Sequence, residues 1–135
     1  MPRYWPMLPQ RILVVTARTE TGKCLAEMLA LSGDRVDAVT DGAAAFQLVW
    51  DADYDVIVSE VGVSGIDGRD LYMAFQNTWP ELTRRMVFVC SEPNQAMDDF
   101  IGRTNVPVVR GAVTLLDLRE AVRYASSAPR SRALV

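Results

Sequence analysis

Five short runs of aliphatic, often β-branched residues, each followed by a stretch of helical periodicity, constrain this chain more than any other feature. The runs are residues 11–15 (RILVV), 35–40 (RVDAVT), 56–61 (VIVSEV), 85–90 (RMVFVC) and 106–109 (VPVV). Nearly continuous apolar runs of this length suit strands covered on both faces. Residues 35–40 alternate instead, as a half-covered edge strand does. Strand-helix alternation repeated five times predicts an α/β fold: a five-stranded parallel sheet, helices on both faces, joined by right-handed crossovers. In such sheets, sites form beyond the C-terminal strand ends. Here those ends are residues 16–18, 59–62, 90–92 and 110–112.

The intervening segments carry helix signals. Over residues 19–31, Cys24, Leu25, Met28, Leu29 and Leu31 recur at helical spacing, with Thr19 or Thr21 as cap and Gly33 as terminator. Asp41-Gly42 opens a second helix whose apolar face is Ala45, Phe46, Leu48 and Val49. Residues 62–68 (GVSGIDG) hold three glycines in seven positions and read as a loop. Residues 70–79 form a third helix with Leu71, Met73, Ala74 and Phe75 facing inward, stopped by Pro80. Residues 94–104 form a weaker fourth helix around Met97, Phe100 and Ile101. Thr114 and Asp117 make a capping-box variant at the start of a fifth helix, residues 114–125.

Composition narrows the function. The chain has 135 residues, enough for one domain, assigned to 11–126 between tails at 1–10 and 127–135. No apolar run reaches the ~18–20 residues of a membrane span. Residues 1–10 lack the basic-then-apolar order of a secretory leader, and Cys24 and Cys90 read as buried reduced thiols, so a cytoplasmic protein is expected. The absence of histidine removes histidine-based catalytic triads, histidine zinc sites and any histidine phosphoacceptor. Residues 11–126 carry a net charge of −6, which argues against a nucleic-acid surface. Residues 19–24 (TETGKC) resemble a phosphate-binding loop only faintly. They lack its first glycine, and Cys24 stands where a hydroxyl is needed. Asp51, Asp53, Asp55, Asp98 and Asp99 read as solvated surface, and Asp67 as a turn residue.

Taken together, ILVV, Asp41-Gly42, YDVIVSEVGVSGIDG (54–68) and VPVV, in this order and spacing, resemble the receiver domain of bacterial response regulators. The resemblance covers about residues 11–125 and implies a flavodoxin-like (βα)5 fold. In that family two acids after strand 1 bind Mg²⁺, and an aspartate ending strand 3 takes a phosphoryl group from a histidine kinase. A Thr or Ser ends strand 4, and Lys-Pro ends strand 5. A carboxylate can attack phosphorus only when cations offset the gathered negative charge.

This chain departs from the pattern at each functional position. The acid pair aligns with Thr16 and Ala17, the phosphoacceptor with Glu60, and the Thr/Ser position with Cys90, followed by Ser91. The lysine aligns with Gly111, its proline with Ala112, and the aromatic switch residue with Val108. Lys23, on the first helix, is poorly placed to substitute. Loss of the acid pair leaves Mg²⁺ one strong ligand, so no metal binding and no other cofactor are expected. Glu60 also sets a carboxylate roughly 1.5 Å further out than aspartate would. Arg18 is a candidate partner for Glu60, as a built-in cation.

The resemblance therefore implies a degenerate receiver: not an enzyme, but a signalling adaptor working by protein contact independently of phosphorylation. A histidine kinase or another regulator is the implied partner, and helix 4, strand 5 and helix 5 the implied surface for partners or a homodimer. Candidates there are Met97, Phe100, Arg103, Leu116, Arg119 and Tyr124. The chain reads either as a stand-alone adaptor or as a piece of a hybrid kinase. Tyr4 and Trp5, between prolines, either pack on the domain or meet a partner. Two alternatives remain open: phosphate acceptance at Glu60, Ser59, Ser64 or Ser91, and an unrelated flavodoxin-like enzyme or small-molecule binder.

Overall fold

The computed structural model describes residues 9–61, 68–92 and 95–128. The elements run β1 (Arg11–Val15), α1 (Thr19–Ala30), β2 (Arg35–Val39), α2 (Gly42–Asp51), β3 (Val56–Glu60) and α3 (Gly68–Thr78). A 3-10 helix (Pro80–Arg85), β4 (Met86–Cys90), α4 (Gln95–Gly102), β5 (Val108–Arg110) and α5 (Leu115–Ser126) follow. The five strands form one parallel sheet in the order β2-β1-β3-β4-β5. The expected α/β architecture is therefore the observed one.

The period of two along each strand divides the core. Ile12, Val14, Val56, Val58, Val87 and Val89 face Leu25 and Leu29 of α1 and Leu118, Val122 and Ala125 of α5. Leu13, Val15, Ile57, Phe88 and Cys90 face the opposite way, toward α2, α3 and α4. On that side Phe46, Phe75 and Trp79 stack with centroids 4.9–6.1 Å apart. Tyr72, Phe88 and Phe100 form a second aromatic group.

Several local expectations need correction. Cys24 is exposed, and Leu31 is 78% exposed. The buried stripe of α1 is Gly22, Leu25 and Leu29. Leu31 lies two residues beyond Leu29, about 200° around the helix, and so points outward. The same offset from Phe75 leaves Met73 46% exposed. Neither Thr19 nor Thr21 caps α1; its N-cap is Arg18, with no side-chain cap bond. Pro80 does not simply stop a helix but starts the 3-10 turn, where its missing N–H is no loss. The α5 cap forms as expected, Thr114 accepting from the Asp117 N–H, and Asp41 caps α2 by accepting from the Ala43 N–H. Of the loop expected at 62–68, residues 62–67 lie outside the described residues, as do Tyr4 and Trp5, while Gly68 already opens α3.

Candidate functional site at the C-terminal strand ends

β3 ends at the middle of the sheet, so Glu60 stands between the ends of β1 and β4. Val15 pairs with Ser59, and Glu60 with Val89. The Glu60 side chain is nearly covered, 6% exposed. Its Oε1 accepts a 2.8 Å hydrogen bond from the backbone N–H of Ala17. This places the carboxylate against the turn that follows β1.

That turn is fixed from below. Thr16 is wholly buried, its N–H donates to the Val39 carbonyl, and its hydroxyl donates to the Arg18 carbonyl at 2.9 Å. Gly22 of α1 presses on the same hydroxyl: a Cβ there would stand 2.8 Å from Thr16 Oγ1. On the far side Gly68 opens α3 so close to β3 that a Cβ would lie 2.6 Å from the Glu60 carbonyl. Glycine is required at that spacing, a physical reason for the Gly that ends GIDG.

The remaining positions close the rim. The Cys90 thiol is buried and donates to the Glu92 carbonyl at 3.2 Å. Gly111 adopts φ +72°, which glycine tolerates, and its N–H donates to the Cys90 carbonyl at 3.0 Å. A lysine at this position would meet backbone strain. Val108 packs half-buried against the α2–α4 core. Ser59 is wholly buried and Ser91 exposed, while Ser64 lies outside the described residues.

The structure thus brings Thr16, Ala17, Glu60, Cys90 and Gly111 to one end of the sheet. It does not bring Arg18 to Glu60. Arg18 is exposed and forms no ion pair among the described residues. The partner that sequence reasoning missed is a backbone amide, and no side-chain pattern signals one. Asp98 also differs from a merely solvated acid, since it pairs with Arg110 at the end of β5. Met97 and Phe100 are core residues, 9% and 6% exposed, and leave the candidate partner surface. Arg103, Leu116, Arg119 and Tyr124 do face outward. Among the described residues no three His, Cys, Asp or Glu side chains converge as a metal site. Among the described residues the carboxylate at the strand ends is that of Glu60, which already holds an N–H, a poor match to the octahedral oxygen shell that Mg²⁺ demands.

No family model matches the sequence. The response regulator TrrA of Thermotoga maritima, solved with Mg²⁺-BeF, superposes with a TM-score of 0.74 over 86% of this chain and 98% of its own, at 19% identity. The signal receiver domain of a Syntrophus aciditrophicus histidine kinase gives 0.76 over 93% and 97%, at 18% identity. The fold is that of response-regulator receiver domains. The transcriptional regulatory protein TcrA of Mycobacterium tuberculosis is 43% identical over 58 residues, which is 43% of this chain. That match spans 23% of TcrA's length. No helix among the described residues is long and apolar enough to cross a membrane.

Proposed function

We propose that this chain is a signalling module of the two-component type that acts by protein–protein contact and runs no phosphoryl-transfer cycle. The observation that carries the reading is the engagement of Glu60. The carboxylate at the acceptor position holds the Ala17 N–H, and the adjoining positions are Thr16 and Ala17 rather than acids. Phosphoryl transfer to a carboxylate needs a positioned cation to offset the charge of nucleophile and phosphate. On this reading Thr16, Ala17 and Gly111 supply neither the Mg²⁺ ligands nor the lysine that such transfer uses, and the module works as an adaptor rather than as an enzyme. Glu60 instead holds the β1–α1 turn in one position.

The receiver fold and the partial identity to TcrA support a place in a two-component pathway, in the cytoplasm, with a histidine kinase or another regulator as partner. Arg103, Leu116, Arg119 and Tyr124 supply the contact surface, for that partner or for a second copy. Leu116 and Tyr124 are each 66% exposed, and contact faces enriched in Tyr and Arg are typical of interfaces.

The test is intact mass after incubation with Mg²⁺ and acetyl phosphate, beside an active receiver as control. The expected result is no added phosphoryl mass. A stoichiometric adduct would overturn the proposal. Mapping it to Glu60, Ser59, Ser64 or Ser91 would then identify a phosphorylated receiver instead.

A further inference from the structure

The opposite end of the sheet from Glu60 carries a concavity. A cleft of about 770 Å³ opens beneath the starts of β4 and β5. Its walls include Tyr72 and Gln76 of α3, Thr83 and Arg84 of the 3-10 turn, Asn105 before β5, and Tyr124 near the end of α5. The volume lies in the range of sites that hold a ligand or a short peptide segment.

The chemistry of the walls is specific. The Thr83 hydroxyl hydrogen-bonds the Gln76 amide at 2.8 Å and fixes it against the 3-10 turn. Tyr72 is held edge-on against Phe100, with centroids 5.5 Å apart. By contrast, the Arg84 guanidinium, the Asn105 amide and the Tyr72 and Tyr124 hydroxyls make no hydrogen bond or ion pair among the described residues. The carboxylate on the wall, Glu81, is not free. The cleft therefore offers one unpaired cation, side-chain amides suited to a peptide backbone, and two aromatic rings.

We propose that this cleft docks an extended acidic peptide segment of a partner protein. Arg84 would take a carboxylate of the segment by a charge-assisted hydrogen bond. Asn105 and Gln76 would meet its backbone, and Tyr124, 66% exposed, would close over an apolar neighbour. The unpaired Arg84 favours an acidic segment over a basic one. Residues 129–135 of this chain bring Arg130 and Arg132 and no acidic side chain. The proposal does not depend on the state of Glu60.

The experiment is selection of a random octapeptide phage library on the full chain, run in parallel on Arg84→Glu. The result expected is enrichment of Asp and Glu on the wild-type chain and its loss, or reversal to Lys and Arg, on the variant. The best selected peptide, made synthetically, should shift the amide resonances of Tyr72, Gln76, Arg84, Asn105 and Tyr124. Arg84→Glu should weaken its binding about tenfold, because the substitution removes the attraction of an exposed ion pair and puts a like charge in its place. Near-unchanged circular dichroism of Arg84→Glu would show that the loss is not one of folding. No acidic enrichment, shifts grouped on Leu116 and Arg119 instead, or unchanged affinity in Arg84→Glu would overturn the proposal. So would cleft resonances that move in the free full chain on Arg130→Ala and Arg132→Ala, since its own C-terminal segment would then fill the site.

Discussion

The two ends of β3 meet burial in opposite ways. Before its first residue, Tyr54 is buried and its hydroxyl donates to Asp37 on β2 at 2.6 Å. Arg11 of β1 lies over the Tyr54 ring at 5.0 Å and 3.7 Å from the same aspartate. The Arg11 backbone N–H donates a 2.7 Å bond to the Asp55 carboxylate. Three strands are thereby tied by charged hydrogen bonds, each charge with a partner. At the other end Glu60 holds a single amide among the described residues, and tight glycine packing does the rest. One end is joined by electrostatics, the other by steric fit around a carboxylate that bonds backbone alone. The first arrangement serves stability.

If steric fit governs the Glu60 end, Gly68→Ala should produce the largest loss there. A Cβ would stand 2.4 Å from Val61 Cγ1 and 2.6 Å from the Glu60 carbonyl. Overpacking of this kind costs roughly 1–3 kcal/mol or more, read as a lowered urea midpoint. Tyr54→Phe should come next, at about 1.5–3 kcal/mol, for a hydrogen bond to a charged group. A variant as stable as wild type would show that the Tyr54 end is not electrostatically joined.

The same network has a pH signature. Burial, followed by the hydrogen bond and charge of Asp37, pushes the Tyr54 hydroxyl up to about 12 from 10.0. The folded chain therefore keeps this proton where the unfolded chain loses it. The stabilisation is complete below pH 10 and declines as pH rises from 10 toward 12. Denaturation midpoints should fall over that window, and by less in Tyr54→Phe. The smallest effect should come from Glu60→Gln, within about 0.5 kcal/mol, because an amide oxygen can still accept from Ala17. A large loss in Glu60→Gln would reveal that the negative charge itself matters, and would revive a cation at this site.

Much of this was readable from residue patterns, and the exceptions have physical causes. Period and β-branching mark the strands because burial on both faces admits little else. The glycine-rich 62–68 run reads as a loop, whereas Gly68 already belongs to α3. Faces were misread where several apolar residues crowd one helix: Leu31 and Met73 are apolar yet lie on the wrong arc. The resemblance implies a surface role for Met97 and Phe100, whereas α4, only eight residues long, turns Met97, Phe100 and Ile101 into the core. The aligned positions at the strand ends did converge. Glu60's partner was invisible because every residue but proline carries the same N–H.

The division of the core also has an order in time. The face bearing Ile12, Val14, Val56 and Val58 is covered by α1 and by α5. The other face is covered by α2, α3 and α4, all made before β5. During synthesis the second face can close while the first still waits for Leu118, Val122 and Ala125. A nascent chain halted at Arg110 would carry a sheet sealed on one side and greasy on the other. Such a chain is a natural client for a chaperone, and it should bind a hydrophobic dye that the completed chain ignores.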